Sequence, residues 1–150
     1  MKKRNFLVAD DDENFHEILE EILLVVFPDD DINILHAING SKAIQLFDES
    51  LKDNNPIDVV ITDYAMPEAS GSDVIRHVMD KHPTPVIVVS AVPEAKDKDF
   101  IQEGAIYFLP KPFDVETARE VMEKAVGLKI IQKDIDKAME AIGRLKKIGL

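Results

Sequence analysis

Five short apolar runs, separated by longer amphipathic stretches, constrain the fold of this chain more than any other feature of its sequence. The runs lie at 5–9, 32–36, 57–62, 85–89 and 106–109. Runs that are apolar almost throughout are typical of strands buried on both faces of a parallel sheet. Five strand–helix units in succession therefore predict an α/β fold, with a doubly wound parallel sheet of five strands and helices on both faces.

The stretches between the runs carry apolar residues at helical spacing. The first such pattern ends before Pro28, and Ser41, just after a turn signal, is expected to cap the second helix. Further helices are predicted near 72–81, from Pro93 to near Gly104, and from Asp114 towards the C terminus.

Composition narrows the class of protein. A length of 150 residues suits one domain, and a hydrophobic content of 45% is enough for a core. The formal charge of −11 argues against nucleic-acid binding, which depends on clustered Lys and Arg. The absence of cysteine excludes disulfides and thiol chemistry. Because no signal peptide and no apolar stretch of about 20 residues is present, we expect no membrane contact and a cytoplasmic location.

Reactive or charged side chains directly follow four of the predicted strands. Asp10 and Asp11 follow the first run, Asp63 follows the third, Ser90 the fourth, and Lys111 stands just after the fifth. The C-terminal ends of parallel strands meet at the same end of the sheet, where open α/β sheets bind their ligands. We therefore expect these side chains to lie close together.

Each of these residues also has an ordinary structural interpretation. The aspartates at 10–12 are good helix caps, Asp63 and Ser90 suit turns or caps, and a lone loop lysine is usually exposed. Three carboxylates at one end of a sheet would, however, repel one another unless a cation lies between them. Mg²⁺ is the favoured cation because it needs only a few carboxylates and keeps several of its waters.

Four motifs occur in order along the chain: Asp10-Asp11, Ile61-Thr62-Asp63-Tyr64-Ala65-Met66-Pro67, Val89-Ser90-Ala91 and Leu109-Pro110-Lys111-Pro112-Phe113. With Gly71 and Gly104, they resemble the receiver domains of response regulators in two-component signalling, over about residues 4–126. The resemblance implies a flavodoxin-like sheet of strand order 2-1-3-4-5. It also implies a receiver domain at 1–126, followed by an amphipathic helical extension or linker at 127–150.

The resemblance implies a phosphoacceptor and a metal site in the first two motifs. Asp63 is the expected phosphoacceptor. Asp11 and Asp63 are expected to ligate Mg²⁺ together with the backbone carbonyl of Ala65, and Asp10 is expected to act mainly through a metal-bound water.

The last two motifs supply the expected phosphoryl contacts. The Ser90 hydroxyl and the Ala91 amide would donate to phosphoryl oxygens, and Lys111 would pair with the phosphoryl group as a compact positive charge. Phe108, three positions before the motif lysine, is expected to act with Ser90 as a switch, with plain core packing as the alternative for this ring. The Lys111–Pro112 peptide bond is expected to be cis.

The function implied is signalling by phosphorylation. In a Mg²⁺-dependent phosphorelay, Asp63 would accept a phosphoryl group from a histidine kinase or phosphotransfer protein and so change association with a partner or with itself. The chain's own histidines, at 16, 36, 77 and 82, lie outside the motifs and are interpreted as structural or solvated. Because the apolar Ala65 and Val92 cannot orient a water, slow loss of the phosphoryl group is expected.

Three rival functions are disfavoured by particular positions. A phosphatase with an aspartyl nucleophile usually has a second acid two residues later, but Ala65 stands there, so we expect no enzyme. A nucleotide-binding protein would need a glycine-rich loop after the first strand. A degenerate receiver that only binds partners would not need the complete motif set.

Residues 127–150 continue the helical pattern past Val126, where the fifth helix of a receiver would end. Flanking positions offer little complementary charge, and Gly127 and Gly143 each cost roughly 1 kcal/mol of helix propensity. Either the segment pairs with a second copy to form a homodimer, or it packs on its own domain or leads into an effector domain. Apolar residues follow heptad-like spacing at Leu128, Ile131, Ile135, Ala138, Ile142 and Leu145.

Overall fold

The computed structural model describes residues 2–91 and 100–149, which form a parallel five-stranded sheet with helices on both faces. The strand order is 2-1-3-4-5 and every neighbouring pair is parallel, which confirms the predicted doubly wound α/β fold. The strands are β1 (Lys3–Ala9), β2 (Asp31–Ala37), β3 (Val59–Asp63), β4 (Val86–Ser90) and β5 (Tyr107–Pro110).

A helix follows each strand along the chain. They are α1 (Glu13–Val26), α2 (Gly40–Lys52), α3 (Gly71–Lys81), α4 (Phe100–Glu103) and α5 (Val115–Lys147). The predicted start of the fourth helix, at Pro93, lies outside the described residues.

The first turn of α2 differs from the prediction. The expected cap, Ser41, was wrong: the carboxamide oxygen of Asn39 accepts a hydrogen bond from the Lys42 amide at 2.7 Å, and Gly40 is already helical. Gly40 is suited to this place because a Cβ there would lie 2.2 Å from the Ala69 carbonyl oxygen. The loop before α3 therefore lies directly against the start of α2.

Two apolar layers cover the sheet because successive strand residues point to opposite faces. Phe6, Val8 and Ile61 pack towards α1 and α5, whereas Leu7 and Val60 pack towards α2 and α3. All residues of β3 and β4 are buried. A sheet buried on both faces holds the strand ends rigidly, and the candidate site lies at those ends.

Helix α5 continues well past the sheet. Val121, Ala125 and Val126 are buried on the domain, and the helix then runs without a break through Gly127 and Gly143 to Lys147. The C-terminal helical extension is therefore present as predicted. No helix in the described part of the chain has the length and apolar content of a bilayer span.

Candidate functional site at the C-terminal end of the sheet

Asp63 is the last residue of β3 and the centre of the site. It is 9% exposed, and one of its carboxylate oxygens accepts a hydrogen bond from the Tyr64 amide at 2.7 Å. The loop after it turns back on itself, since the Gly71 amide donates to the Tyr64 carbonyl at 2.8 Å. A Cβ at position 71 would lie 2.5 Å from the Asp63 carbonyl oxygen, so glycine permits this close return.

Three carboxylates meet at this end of the sheet. Asp10, Asp11 and Asp63 each offer an oxygen, and these oxygens lie within 4.8 Å of one another. Asp10 is fully buried, whereas Asp11 is exposed. The third aspartate of the run, Asp12, instead caps α1 by accepting from the Asn14 amide at 3.0 Å. The cap interpretation thus holds for Asp12, while its two predecessors belong to the cluster.

Lys111 supplies the positive charge of the site. Its Nζ lies 2.5 Å from Asp10 Oδ2 and 3.9 Å from Asp63 Oδ2, and 4.0 Å from the centre of the Phe15 ring. The Lys111 amide donates to the Ser90 carbonyl at 2.9 Å, which places the start of the β5–α5 loop against the end of β4. The Lys111–Pro112 peptide is cis, as expected.

The pKa of Asp63 is raised above its usual value. Burial is the largest cause, and the neighbouring carboxylates of Asp10 and Asp11 add to it. Lys111 and the Tyr64 amide oppose the rise in pKa without cancelling it. One ammonium group is thus too little positive charge for the carboxylates around Asp63.

The donor set of the cluster fits a hard divalent cation. All three side chains offer carboxylate oxygens, which Mg²⁺ and Ca²⁺ prefer, and no histidine or cysteine joins this group among the described residues. The raised pKa of Asp63 also agrees with a cation at this place, because a bound cation would stabilise the ionised carboxylate.

The other predicted site residues lie in or directly after the neighbouring strands. Ser90 is buried at the end of β4, and Ala91 directly after it is exposed, as is Ala65 in the loop after Asp63. Val92 lies outside the described residues. Phe108 is half-buried on β5.

The Phe108 ring belongs to a small aromatic cluster. It stacks on Phe100, with 5.6 Å between ring centres, and Phe100 in turn meets Tyr64 edge-on at 5.3 Å. Tyr107, on the opposite face of the strand, is more exposed. Because Tyr64 follows Asp63 directly, the cluster joins the loop of the phosphoacceptor candidate to β5.

Sequence reasoning missed one contact that positions the site. His16 is buried, its Nε2 lies 2.7 Å from the Asp10 carbonyl oxygen, and its Nδ1 lies 2.8 Å from Nδ1 of His36. The ring thus ties the first turns of α1 to the backbone of Asp10. Helical spacing from the Asp12 cap could have placed His16 on the inner face of α1, but not against that carbonyl.

Comparison with known proteins identifies the family of this chain. The sequence profile of the response regulator receiver domain matches residues 6–123. The chain belongs to this receiver family. Receiver domains of two-component response regulators share a general function, the acceptance of a phosphoryl group on an aspartate.

Curated relatives of this receiver domain are longer proteins. The transcriptional regulatory protein CpxR of Klebsiella pneumoniae is 32% identical over 109 residues, covering 72% of this chain and 43% of CpxR. The transcriptional regulatory protein YdfI of Bacillus subtilis is 33% identical over 147 residues, covering 94% of this chain and 65% of YdfI. A protein-glutamate methylesterase/protein-glutamine glutaminase of Pseudomonas fluorescens is 37% identical over 112 residues, which are 72% of this chain and 28% of that enzyme.

Solved structures show the same fold. A response regulator receiver domain protein of Clostridium thermocellum superposes with a TM-score of 0.74 at 26% identity, covering 86% of this chain and 98% of the other. The CheX–CheY–BeF₃–Mg²⁺ complex of Borrelia burgdorferi contains a chain that matches with a TM-score of 0.67 at 27% identity, covering 80% of this chain and 87% of that one.

Proposed function

We propose that Asp63 of this receiver accepts a phosphoryl group, in a Mg²⁺-dependent phosphorelay, from the phosphohistidine of a histidine kinase or phosphotransfer protein. One observation carries the proposal. The buried Asp63 carboxylate lies in a group with those of Asp10 and Asp11, and 3.9 Å from Lys111 Nζ. Family membership supplies the general acceptor function, and this geometry supports Asp63 as the aspartate concerned.

In this proposal, Asp11 and Asp63 hold the metal with the Ala65 carbonyl, and Asp10 contacts it through water. A bound Mg²⁺ would neutralise the carboxylates and the negative charge of the phosphoryl group. The solved Borrelia complex was crystallised with Mg²⁺ and BeF₃, which supports the same metal here.

The proposed transfer uses side chains of this chain in distinct roles. An Asp63 carboxylate oxygen attacks the phosphorus, and an O–P bond forms as the P–N bond of the donor breaks, with the electron pair leaving on the imidazole nitrogen. Lys111, held by its ion pair with Asp10, lies close enough to Asp63 to pair with the transferred group. The Ser90 hydroxyl and the Ala91 amide complete the contacts to the phosphoryl oxygens.

Phosphorylation is proposed to be read out in two ways. Ser90 and Phe108 act as the switch, with the aromatic cluster of Tyr64, Phe100 and Phe108 carrying the change between β5 and the loop after Asp63. The domain at 1–126 and the extension at 127–150 then change their association with a partner or a second copy. The role of this chain is thus signalling, and no turnover of a separate substrate is proposed.

The experiment uses a small phosphodonor that contains a P–N bond. Phosphoramidate with Mg²⁺ should label the protein in an acid-stable but hydroxylamine-sensitive form, as expected for an acyl phosphate, and EDTA should prevent labelling. Asp63→Asn should abolish it. Asp12→Asn, which removes a neighbouring charge outside the cluster and keeps an oxygen that can cap α1, should leave it intact. Equal labelling of Asp63→Asn and of the unaltered protein would contradict the proposal.

A further inference from the structure

We propose that the N-terminal end of the sheet, opposite Asp63, carries a second site, which binds the phosphate group of a small molecule. The site is a cavity of about 360 Å³, and we call it the basic cavity. Its walls come from residues 2–4 at the start of β1, from Asp58 just before β3 and from α5 between Val126 and Lys137. Its cationic lining residues are Lys2, Lys3, Arg4, Lys129, Lys133 and Lys137.

The basic cavity reverses the charge of the molecule locally. Six cations line it and face two carboxylates, Asp58 and Asp134, in a chain whose formal charge is −11. Asp58 is already occupied: it accepts a hydrogen bond from the Asn5 amide at 2.8 Å and lies 3.3 Å from Lys133 Nζ. A positive excess therefore remains in the cavity.

Two of the six cations are paired within the protein. Arg4 lies 2.5 Å from Asp30, which is outside the cavity lining, and Lys133 pairs with Asp58. The other four, Lys2, Lys3, Lys129 and Lys137, form no ion pair with any described residue. Lys2, Lys3 and Lys137 are exposed, so their ammonium groups are available to an anion.

Lys129 is the residue that most needs an explanation. It is 5% exposed, and its Nζ has His82 Nε2 at 3.5 Å as a polar neighbour instead of a carboxylate. Burial is the largest influence on the pKa of Lys129 and lowers it. The charge of Asp58 opposes this, Lys133 adds to it and Asp136 opposes it, and the net shift is downward. A buried ammonium group that forms no ion pair is unfavourable, whereas an anion in the cavity would compensate its charge.

The dimensions and chemistry favour a small phosphate compound. A volume of about 360 Å³ lies at the lower end of the range of small-molecule pockets, roughly 300–1,000 Å³. Lysines bind phosphate as point charges, and several of them match the multiple charges of a phosphomonoester or a diphosphate. A long polyanion is disfavoured because the acidic surface of the rest of the molecule would repel it.

Binding in the basic cavity would also act on α5. Lys129, Lys133 and Lys137 lie on successive turns of one helix face, and Lys3 lies across the cavity on β1. A phosphate held between them would fasten the first turns of the extension to the domain. This site is separate from Asp63, so its ligand is distinct from the transferred phosphoryl group.

Isothermal titration calorimetry tests the proposal with inorganic pyrophosphate and adenosine diphosphate, at constant ionic strength in chloride buffer. We expect at least one probe to bind. Binding of pyrophosphate alone would indicate that the natural ligand is a free inorganic anion, and binding of adenosine diphosphate would indicate a phosphate ester. Lys129→Met should weaken binding by about tenfold or more. Asp63→Asn should bind as the unaltered protein does, which separates this site from the proposed phosphoacceptor.

Matched variants keep the test independent of folding. The exposed pair Lys3→Gln/Lys137→Gln should weaken binding about as much as Lys129→Met, while Lys124→Gln, on the solvent side of α5, should change it less than about twofold. Three results would overturn the proposal: no binding of either probe at millimolar concentration, unchanged binding in the exposed pair, or tighter, cavity-dependent binding of duplex DNA or polyglutamate.

Discussion

At Asp63, burial and two neighbouring carboxylates act against ionisation, while one ammonium group and one amide favour it. The balance raises the pKa of Asp63 above that of an unfolded chain. Because the pKa of Asp63 is higher in the folded state than in the unfolded state, ionisation of this carboxyl group destabilises the fold. The free energy of unfolding therefore falls as the pH rises from the unfolded-state pKa to the folded-state pKa. The ionised Asp63 thus lowers stability at neutral pH.

Replacing this carboxylate by its neutral isostere should therefore stabilise the fold. In the absence of divalent cations, Asp63→Asn should raise the melting temperature at pH 7 by about 2–4 °C, equivalent to roughly 1 kcal/mol in a domain of this size. The gain should disappear below about pH 4, where the unfolded chain also protonates its carboxyl groups. Thermal unfolding monitored by circular dichroism measures this, and a variant less stable than the unaltered protein at pH 7 would contradict it.

The ion pair between Lys111 and Asp10 has the opposite effect on stability. Asp10 is fully buried, so removing its counter-charge in Lys111→Met should cost about 3–5 kcal/mol of unfolding free energy. Asp10→Asn in the same background should recover most of that loss, since the unpaired charge is then gone. Urea unfolding of the two variants, with Lys124→Met as a surface control, checks this. A loss below about 1 kcal/mol in Lys111→Met would show that the pair matters little.

At the scale of elements, replacing glycine by alanine should have opposite effects on stability at two positions. Gly71→Ala should cost about 2 kcal/mol or more, because its Cβ would lie 2.5 Å from the Asp63 carbonyl oxygen. Gly143→Ala, with nothing within 4 Å, should gain about 1 kcal/mol of local helix stability. Denaturant unfolding tests the first change, and helical circular dichroism tests the second. A harmless Gly71→Ala would mean that the loop after Asp63 is not held as described.

The elements also show how far the sequence alone leads. Apolar runs predicted the strands, and because parallel strands end together, they also predicted that Asp10, Asp63 and Lys111 would meet. The predicted cap of α2 was two residues too late, because the choice between Asn39 and Ser41 depends on how closely α2 approaches Ala69. Such approaches are tertiary and leave no local pattern.

Other features depend entirely on the three-dimensional arrangement. The contact of His16 with the Asp10 carbonyl joins residues whose pairing no motif signals. The basic cavity gathers lysines from both ends of the chain, so a net charge of −11 gave no sign of it. Net charge averages over the whole surface, whereas a binding site depends on a local excess of one charge.

For the whole molecule, the two faces of the extension point to self-association. The lysine face of α5, including Lys129 and Lys133, contacts the domain. The heptad stripe lies on the opposite face of the helix and is about half exposed: Leu128 is 45% exposed, Ile131 56% and Ile135 50%. Leu128 and Ile131 also line a shallow groove beside Met79 and Ile106 of the domain. An exposed apolar stripe of this length is typical of a helix that pairs with another, which favours the proposed homodimer over packing on its own domain.

A charge within the stripe should prevent this pairing. The unaltered chain should sediment as a concentration-dependent dimer, and Ile135→Lys should sediment as a monomer. Glu140→Lys adds a positive charge on the opposite, exposed face and should leave the dimer intact. Sedimentation velocity at several concentrations measures this, both without a phosphodonor and with it. A monomer at all concentrations in both conditions would refute self-association through residues 127–150.

Mapping the site of modification tests the role proposed for Asp63. The protein is incubated with acetyl phosphate and Mg²⁺, trapped by borohydride reduction of the acyl phosphate, and analysed by tandem mass spectrometry. The expected result is conversion of Asp63 to homoserine, dependent on Mg²⁺ and absent from Asp63→Asn. Modification at another residue, or none at Asp63 in the folded protein, would show that Asp63 is not the phosphoacceptor.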